Sequence, residues 1–163
     1  MDNSQVALKL LMEELAITPE IKTVRERKTV QKAVYLGQAA GVDLGYRYNW
    51  YIMGPYSPSL TRDYFALNES LSADDDASGQ FELQESVKSR LERIKPLMGP
   101  PPGVTLSTPD WLELLASLHY LLVSRRLDWP QAKEYLREKK QHVANFADSA
   151  RDALKKQDLI PAS

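Results

Sequence analysis

The chain of 163 residues has no cysteine, which removes disulfides, thiolate metal sites and cysteine nucleophiles together and suits a reducing compartment. Histidine is scarce: His119 and His142 stand alone, with no HxxxH or HExxH spacing for a catalytic metal. No apolar run approaches the roughly 18 residues of a membrane span. The start, Met1-Asp2-Asn3-Ser4, has neither the basic opening nor the apolar core of a secretion signal. A cytoplasmic protein with no membrane partner is therefore expected. The nucleophile elbow GxSxG, the phosphate loop GxxxxGK and the dinucleotide fingerprint GxGxxG are missing as well. The acid pairs Glu13-Glu14 and Glu134 with Glu138 fall in helical patterns, where solvation accounts for them. His119 shares an apolar face with Leu112, Leu115 and Leu122 and reads as a core histidine. These absences lead to the expectation of a protein that is not an enzyme and uses no cofactor.

Excess charge is absent too, the net being −1, so nothing pulls the whole chain toward nucleic acid or membrane. The distribution is uneven. Lys22, Arg25, Arg27, Lys28 and Lys32 face one acid, Glu26, between residues 22 and 32. Between 57 and 85 the single base Arg62 meets Asp63, Glu69, Asp74, Asp75, Asp76, Glu82 and Glu85.

The most informative stretch present is 46–57. Tyr46, Tyr48, Trp50 and Ile52 alternate with Arg47, Asn49, Tyr51 and Met53, the period of a half-buried strand. Gly54-Pro55 ends it in a turn, and Ser57-Pro58 caps a new helix at once. Before it, residues 4–16 carry a Leu8, Leu11, Leu15 stripe. Thr23 and Glu26 form a capping-box pattern for a helix that runs to about Ala40. After it, Leu60, Tyr64, Leu67 and Leu71 make a third helical stripe; 74–79 reads as a turn and 80–83 as a short returning strand. Residues 86–97 read as a further helix.

Gly99-Pro100-Pro101-Pro102-Gly103 is a stiff connector. Beyond it, Thr108-Pro109-Asp110 is expected to cap a helix apolar on nearly every side through Val123, and Asp128 caps another. Val143, Phe146, Ala147, Ala150 and Leu154 mark a last amphipathic segment, and Arg137, Lys139, Lys140 and His142, then Arg151, Lys155 and Lys156, read as the solvated side of the last helices. The fold class expected is mainly α with a small hairpin (α+β). It comprises a winged-helix-like unit over 1–98, a connector over 99–107, and C-terminal helices over 108–163 packed on the first unit as one compact domain.

Gln31-Lys32-Ala33-Val34-Tyr35-Leu36, the aromatic strand, Gly54-Pro55-Tyr56-Ser57 and the following Leu60, Asp63 and Leu67 resemble the YwgA-like family of small bacterial proteins, and more distantly the Panacea antitoxin domain. Trp111 to Ser117 and the closing Asp158-Leu159-Ile160 fit the first group, so the likeness spans about Thr23 to Ile160. The resemblance implies a winged-helix-like unit on C-terminal helices, a bacterial regulator of antitoxin-like or defence-associated type, and no catalytic residues to carry over. The acidic loop departs from an ordinary wing.

Three binding surfaces follow. Arg47, Asn49, Tyr51 and Tyr56 are the residues expected to bind another protein, as the exposed part of the aromatic run. A regulator that binds DNA would use the basic face of Arg25, Arg27, Lys28 and Lys32. A calcium switch would use the loop 74–85. There Asp74, Asp76, Ser78, Gly79 and Glu85 match the spacing of an EF-hand loop and could place oxygens around Ca²⁺. The reading favoured by the sequence is the first: a non-catalytic regulatory or adaptor module.

Overall fold

In the computed structural model, which describes residues 1–162, helices start where the side chains can satisfy free backbone amides. Asp2 accepts from Gln5 N to open α1 (Asn3–Glu14), and Thr23 accepts from Glu26 N to open α2 (Val24–Ala39). Glu26 reaches back to the Lys22 amide, one residue earlier than an ideal capping box. Two short antiparallel strands follow, β1 (Asn49–Tyr51) and β2 (Gly54–Tyr56), with Trp50 opposite Pro55 and Ile52-Met53 as the tip. Ser57 caps α3 (Pro58–Ser72), and α4 (Glu85–Glu92) leads toward the connector. The remaining helices are α5 (Thr108–His119), continued by a π-helical turn over Tyr120–Ser124, then α6 (Trp129–Lys139), α7 (Gln141–Ala144) and α8 (Ala147–Lys156). The protein is mainly α with one small hairpin, as the sequence pattern predicts.

The core is organised around α5. Every residue from Trp111 to His119 is buried, and the helix packs against α2, α8, α7 and β2. Val30, Ala33, Val34 and Gly37 present the buried face of α2; Leu8, Leu11 and Leu15 come from α1; Leu60, Tyr64 and Leu67 come from α3. The Trp111 indole donates to the Leu97 carbonyl at 3.1 Å, which ties α5 to the chain entering the connector.

Several local expectations are corrected. The strand expected over 46–53 pairs only at Asn49–Tyr51, because Gln38 takes the backbone of Tyr46 for itself: its amide donates to the Tyr46 carbonyl and accepts from the Tyr46 N–H, at 2.9 and 3.0 Å. The returning strand expected over 80–83 is not formed. A 3-10 turn occupies Ser78–Gln80, and the chain beyond it reaches α4 without a β partner. The helix expected over 86–97 ends at Glu92, and Pro96 sits in a separate 3-10 turn at Lys95–Leu97. The cap of α5 is Ser107 rather than Thr108, since the Asp110 amide donates to the Ser107 hydroxyl.

Candidate functional site

The hairpin is held by side chains of α2 that imitate a neighbouring strand. Gln31 lies two turns before Gln38 on the helix, and it does to Ser57 what Gln38 does to Tyr46. Its amide donates to the Ser57 carbonyl at 2.9 Å and accepts from the Ser57 N–H at 3.0 Å. Between these grips Lys32 Nζ donates to the Pro55 carbonyl at 2.6 Å. From the other side Lys140 Nζ donates to the Ile52 carbonyl at 2.9 Å and lies over the Trp50 ring. Four long polar side chains thus fix both arms and the turn. Gly54, with φ +91°, completes the seat: a Cβ there would lie 2.4 Å from the hydroxyl oxygen of Ser117 on α5. That hydroxyl is buried without a hydrogen-bond partner among the described residues.

Behind the hairpin lies a buried ionic cluster whose hub is Glu113, 1% exposed. Its carboxylate accepts from Lys28 Nζ and from Lys140 Nζ, each at 2.7 Å, and His142 Nε2 lies 3.2 Å away. Lys28 also pairs with Asp110 at 2.7 Å. Burial works to raise the Glu113 pKa, yet the Lys140 and Lys28 hydrogen bonds overcome it and hold the group below its usual range. Lys32 has no carboxylate in contact. Burial pushes it down to about 7, opposed by Glu113 and assisted by Lys140 and Lys28. His119, the expected core histidine, is buried with Nδ1 2.8 Å from the Tyr35 hydroxyl; burial pushes it down to about 4 against the pull of the Leu159 backbone.

On the outer side, α2, the hairpin and α3 enclose an open groove of about 390 Å³. Its rim is made of Val24, Tyr51, Ile52, Met53 and Phe65, which are five of the seven exposed large apolar side chains among the described residues. Ile52 at the tip is 95% exposed. Tyr51 and Tyr56 stack edge to face with centroids 5.0 Å apart, and Arg27, Lys28, Gln31 and Lys32 lie beneath.

The structure sorts the residues singled out from sequence. Tyr51 and Tyr56 line the groove. Asn49 shares their face of the hairpin by register, opposite Tyr56, but it and Arg47 are exposed outside the groove. The basic face at Arg25, Arg27, Lys28 and Lys32 is not a surface patch: Lys32 is 2% exposed, and Lys28 is spent on Asp110 and Glu113. Arg27 turns back to the Ile21 and Lys22 carbonyls, which leaves Arg25 as the exposed member. In the acidic loop, Asp74, Asp76, Ser78 and Glu85 do not converge. Asp76 accepts from the Ser78 hydroxyl and amide and pairs with Lys9 at 3.1 Å. The Ser78 bonds, then Lys9, bring its pKa down to about 2. A lysine from α1 thus occupies the position a calcium ion would need, and Glu85 points to solvent from α4.

Asp110, Glu113 and His142 are the one group of three metal-capable side chains among the described residues, with ligand atoms within 4.8 Å of one another. Both Glu113 oxygens already accept from lysine, so a dication there would have to displace two ammonium groups. The hub residues Glu113 and Lys140 went unmarked as site residues. Glu113 is the single acid in the apolar run from Trp111 to Val123, and Lys140, expected on the solvated side of the last helices, is instead 2% exposed because Glu113 and the Ile52 carbonyl take its ammonium. No helix in the described residues is long and apolar enough to cross a membrane. Comparison with family models, with curated proteins and with solved structures returned no match.

Proposed function

We propose that this protein is a non-catalytic regulatory or adaptor module that binds another protein through the groove between α2, the hairpin and α3. One observation carries the reading: the exposed Val24, Tyr51, Ile52, Met53 and Phe65 gather at one groove instead of being scattered. Scattered apolar residues on a surface need no explanation, whereas a contiguous patch marks an interaction site. Tyrosine and methionine are also the side chains enriched at the centre of interfaces. The hairpin that presents them is braced by Gln31, Gln38, Lys32 and Lys140, so the surface is held in place before any partner arrives. The sequence resemblance narrows the reading to a bacterial antitoxin-like regulator, in which the groove would cover a surface of its partner.

The test is recovery of tagged protein from its own cells, with nuclease and without, for the wild type and for Ile52→Asp and Phe65→Asp. Both side chains are exposed, so each variant should fold. A stoichiometric protein that survives nuclease and is lost from both variants is the expected result. A partner retained by both variants, or recovered only together with nucleic acid, would overturn the proposal.

A further inference from the structure

The charge of the groove is as one-sided as its rim is apolar. Arg27, Lys28 and Lys32 are among the residues that line it, and no aspartate or glutamate is, in a chain whose net charge is −1. Lys28 has two carboxylate partners on α5. Arg27 and Lys32 touch only carbonyl oxygens, so their charge is uncompensated by any direct contact. Arg27 is half-buried and always charged, whereas Lys32 is buried and its ammonium form is costly there until something supplies the opposite charge.

The hairpin also restricts how a ligand can bind. The β2 edge that faces α2 is closed: Pro55 has no N–H, its carbonyl is taken by Lys32, and the Ser57 N–H and carbonyl are taken by Gln31. An extended internal segment therefore cannot add there as a strand. A chain end can satisfy the groove from a single residue, because one terminal residue carries both an apolar side chain and a carboxylate.

We propose that the groove receives the C-terminal residue of the partner protein, its large apolar side chain among Tyr51, Met53 and Phe65 and its carboxylate on Arg27 and Lys32. This rests on the reading of the groove as a protein-docking surface and names the chemistry of what docks. The guanidinium and ammonium would form charge-assisted hydrogen bonds to the carboxylate, and the aromatic wall would exclude water from them.

The experiment uses an array of fluorescent hexapeptides covering every pair of last residues. Each is made with a free C-terminus and as the C-terminal amide, and is titrated with the full chain. Binding confined to large apolar last residues, and weakened about tenfold or more by amidation, is expected. Arg27→Gln and Lys32→Met should erase the difference between acid and amide; that difference is read on the wild type, so it stands even where a variant fails to fold. Equal binding of acid and amide would overturn the inference while leaving the docking surface intact. No binding by any peptide, with Ile52→Asp and Phe65→Asp still losing the protein partner, would do the same. Loss of neither partner nor peptide in those variants would remove both readings. Displacement of bound peptide by decanoate at equal concentration would overturn the peptide end in favour of a small free acid.

Discussion

At the scale of single residues, the cluster around Glu113 is where one atom changes most. Replacing the carboxylate by an amide in Glu113→Gln leaves Lys28 and Lys140 facing a neutral group in a buried position. Breaking a buried pair in this way costs about 3–5 kcal/mol, and urea unfolding should show it as a lower midpoint with an unchanged slope. Adding Lys140→Met should recover part of the loss, because the second change removes the stranded charge; simple additivity in that cycle would contradict the coupling. Since the folded Glu113 pKa is depressed, its contribution is complete above the ordinary glutamate range and is lost as acid titrates the folded group. Lys32 acts in the opposite direction. Between about 7 and its ordinary 10.5, the unfolded chain holds a proton that native Lys32 does not, so stability rises with pH by up to about 1.4 kcal/mol per unit. Unfolding measured from pH 7.5 to 8.5 should show that rise in the wild type and a flat profile in Lys32→Met. A parallel rise in both would assign the effect elsewhere. The window stays below the range where tyrosines in the unfolded chain ionise.

At the scale of elements, the hairpin is short because its neighbours compete for its backbone. Gln38 and Gln31 bind the residues that would otherwise lengthen the two strands, so alternation over 46–53 yields only Asn49–Tyr51. Gly54→Ala should be severe: it places a side chain at φ +91° and drives a Cβ into the Ser117 hydroxyl at 2.4 Å. The backbone conformation alone costs about 1–3 kcal/mol, and the contact adds to it. Thermal unfolding should show a loss of several degrees or more, and Gly54→Ala with Ser117→Ala should be milder; an unchanged melting temperature would refute the account. The same element shows what sequence can reveal. Local signals survived folding: the Thr23, Ser57 and Asp128 caps, the Leu60–Tyr64–Leu67 stripe and the buried α5 all lie where side-chain pattern alone predicts, whereas the turn expected at Gly54-Pro55 falls at Ile52-Met53 and Gly54–Tyr56 is the second strand. Alternation over 46–53 places Tyr51 on the outer face of β1, whereas Tyr56 joins it only through the hairpin register that sets Asn49 opposite Tyr56. Lys28 and Lys32 were not legible as buried. Their partners stand 85 and 23 residues away in sequence, and a lysine that neutralises a distant glutamate has the same local pattern as a solvated one. The acidic loop misled for the same reason, since nothing near Asp76 announces Lys9.

At the scale of the whole molecule, the connector at 99–103 looks like a boundary in sequence but does not separate two cores. α5 begins after it and supplies the residues against which α2, from before it, is buried. Lys28 on α2 finds its acids only on α5; Lys140, beyond α6, reaches back to the Ile52 carbonyl in the hairpin. Each side of the connector therefore holds charges that the other side neutralises. A fragment of residues 1–106 would expose the buried apolar face of α2 to water and deprive Lys28 of both its acids. A fragment of residues 107–163 would leave α5, apolar on nearly every side, with only α7 and α8 to cover it. Neither should fold alone, and the intact chain should unfold in one transition seen identically by far-ultraviolet circular dichroism and by the fluorescence of Trp50, Trp111 and Trp129. A cooperative melt of the 1–106 fragment by itself would overturn this. Mixing the two fragments should restore helical signal in proportion to complex formed, and Glu113→Gln in the second fragment should weaken that reassembly. The dependence follows from the fold: the hairpin that walls the groove is braced by Lys32 from before the connector and by Lys140 from beyond it, and Lys140 pairs with Glu113 of α5. Any change that loosens α5 should then be felt at the rim formed by Tyr51, Ile52 and Met53.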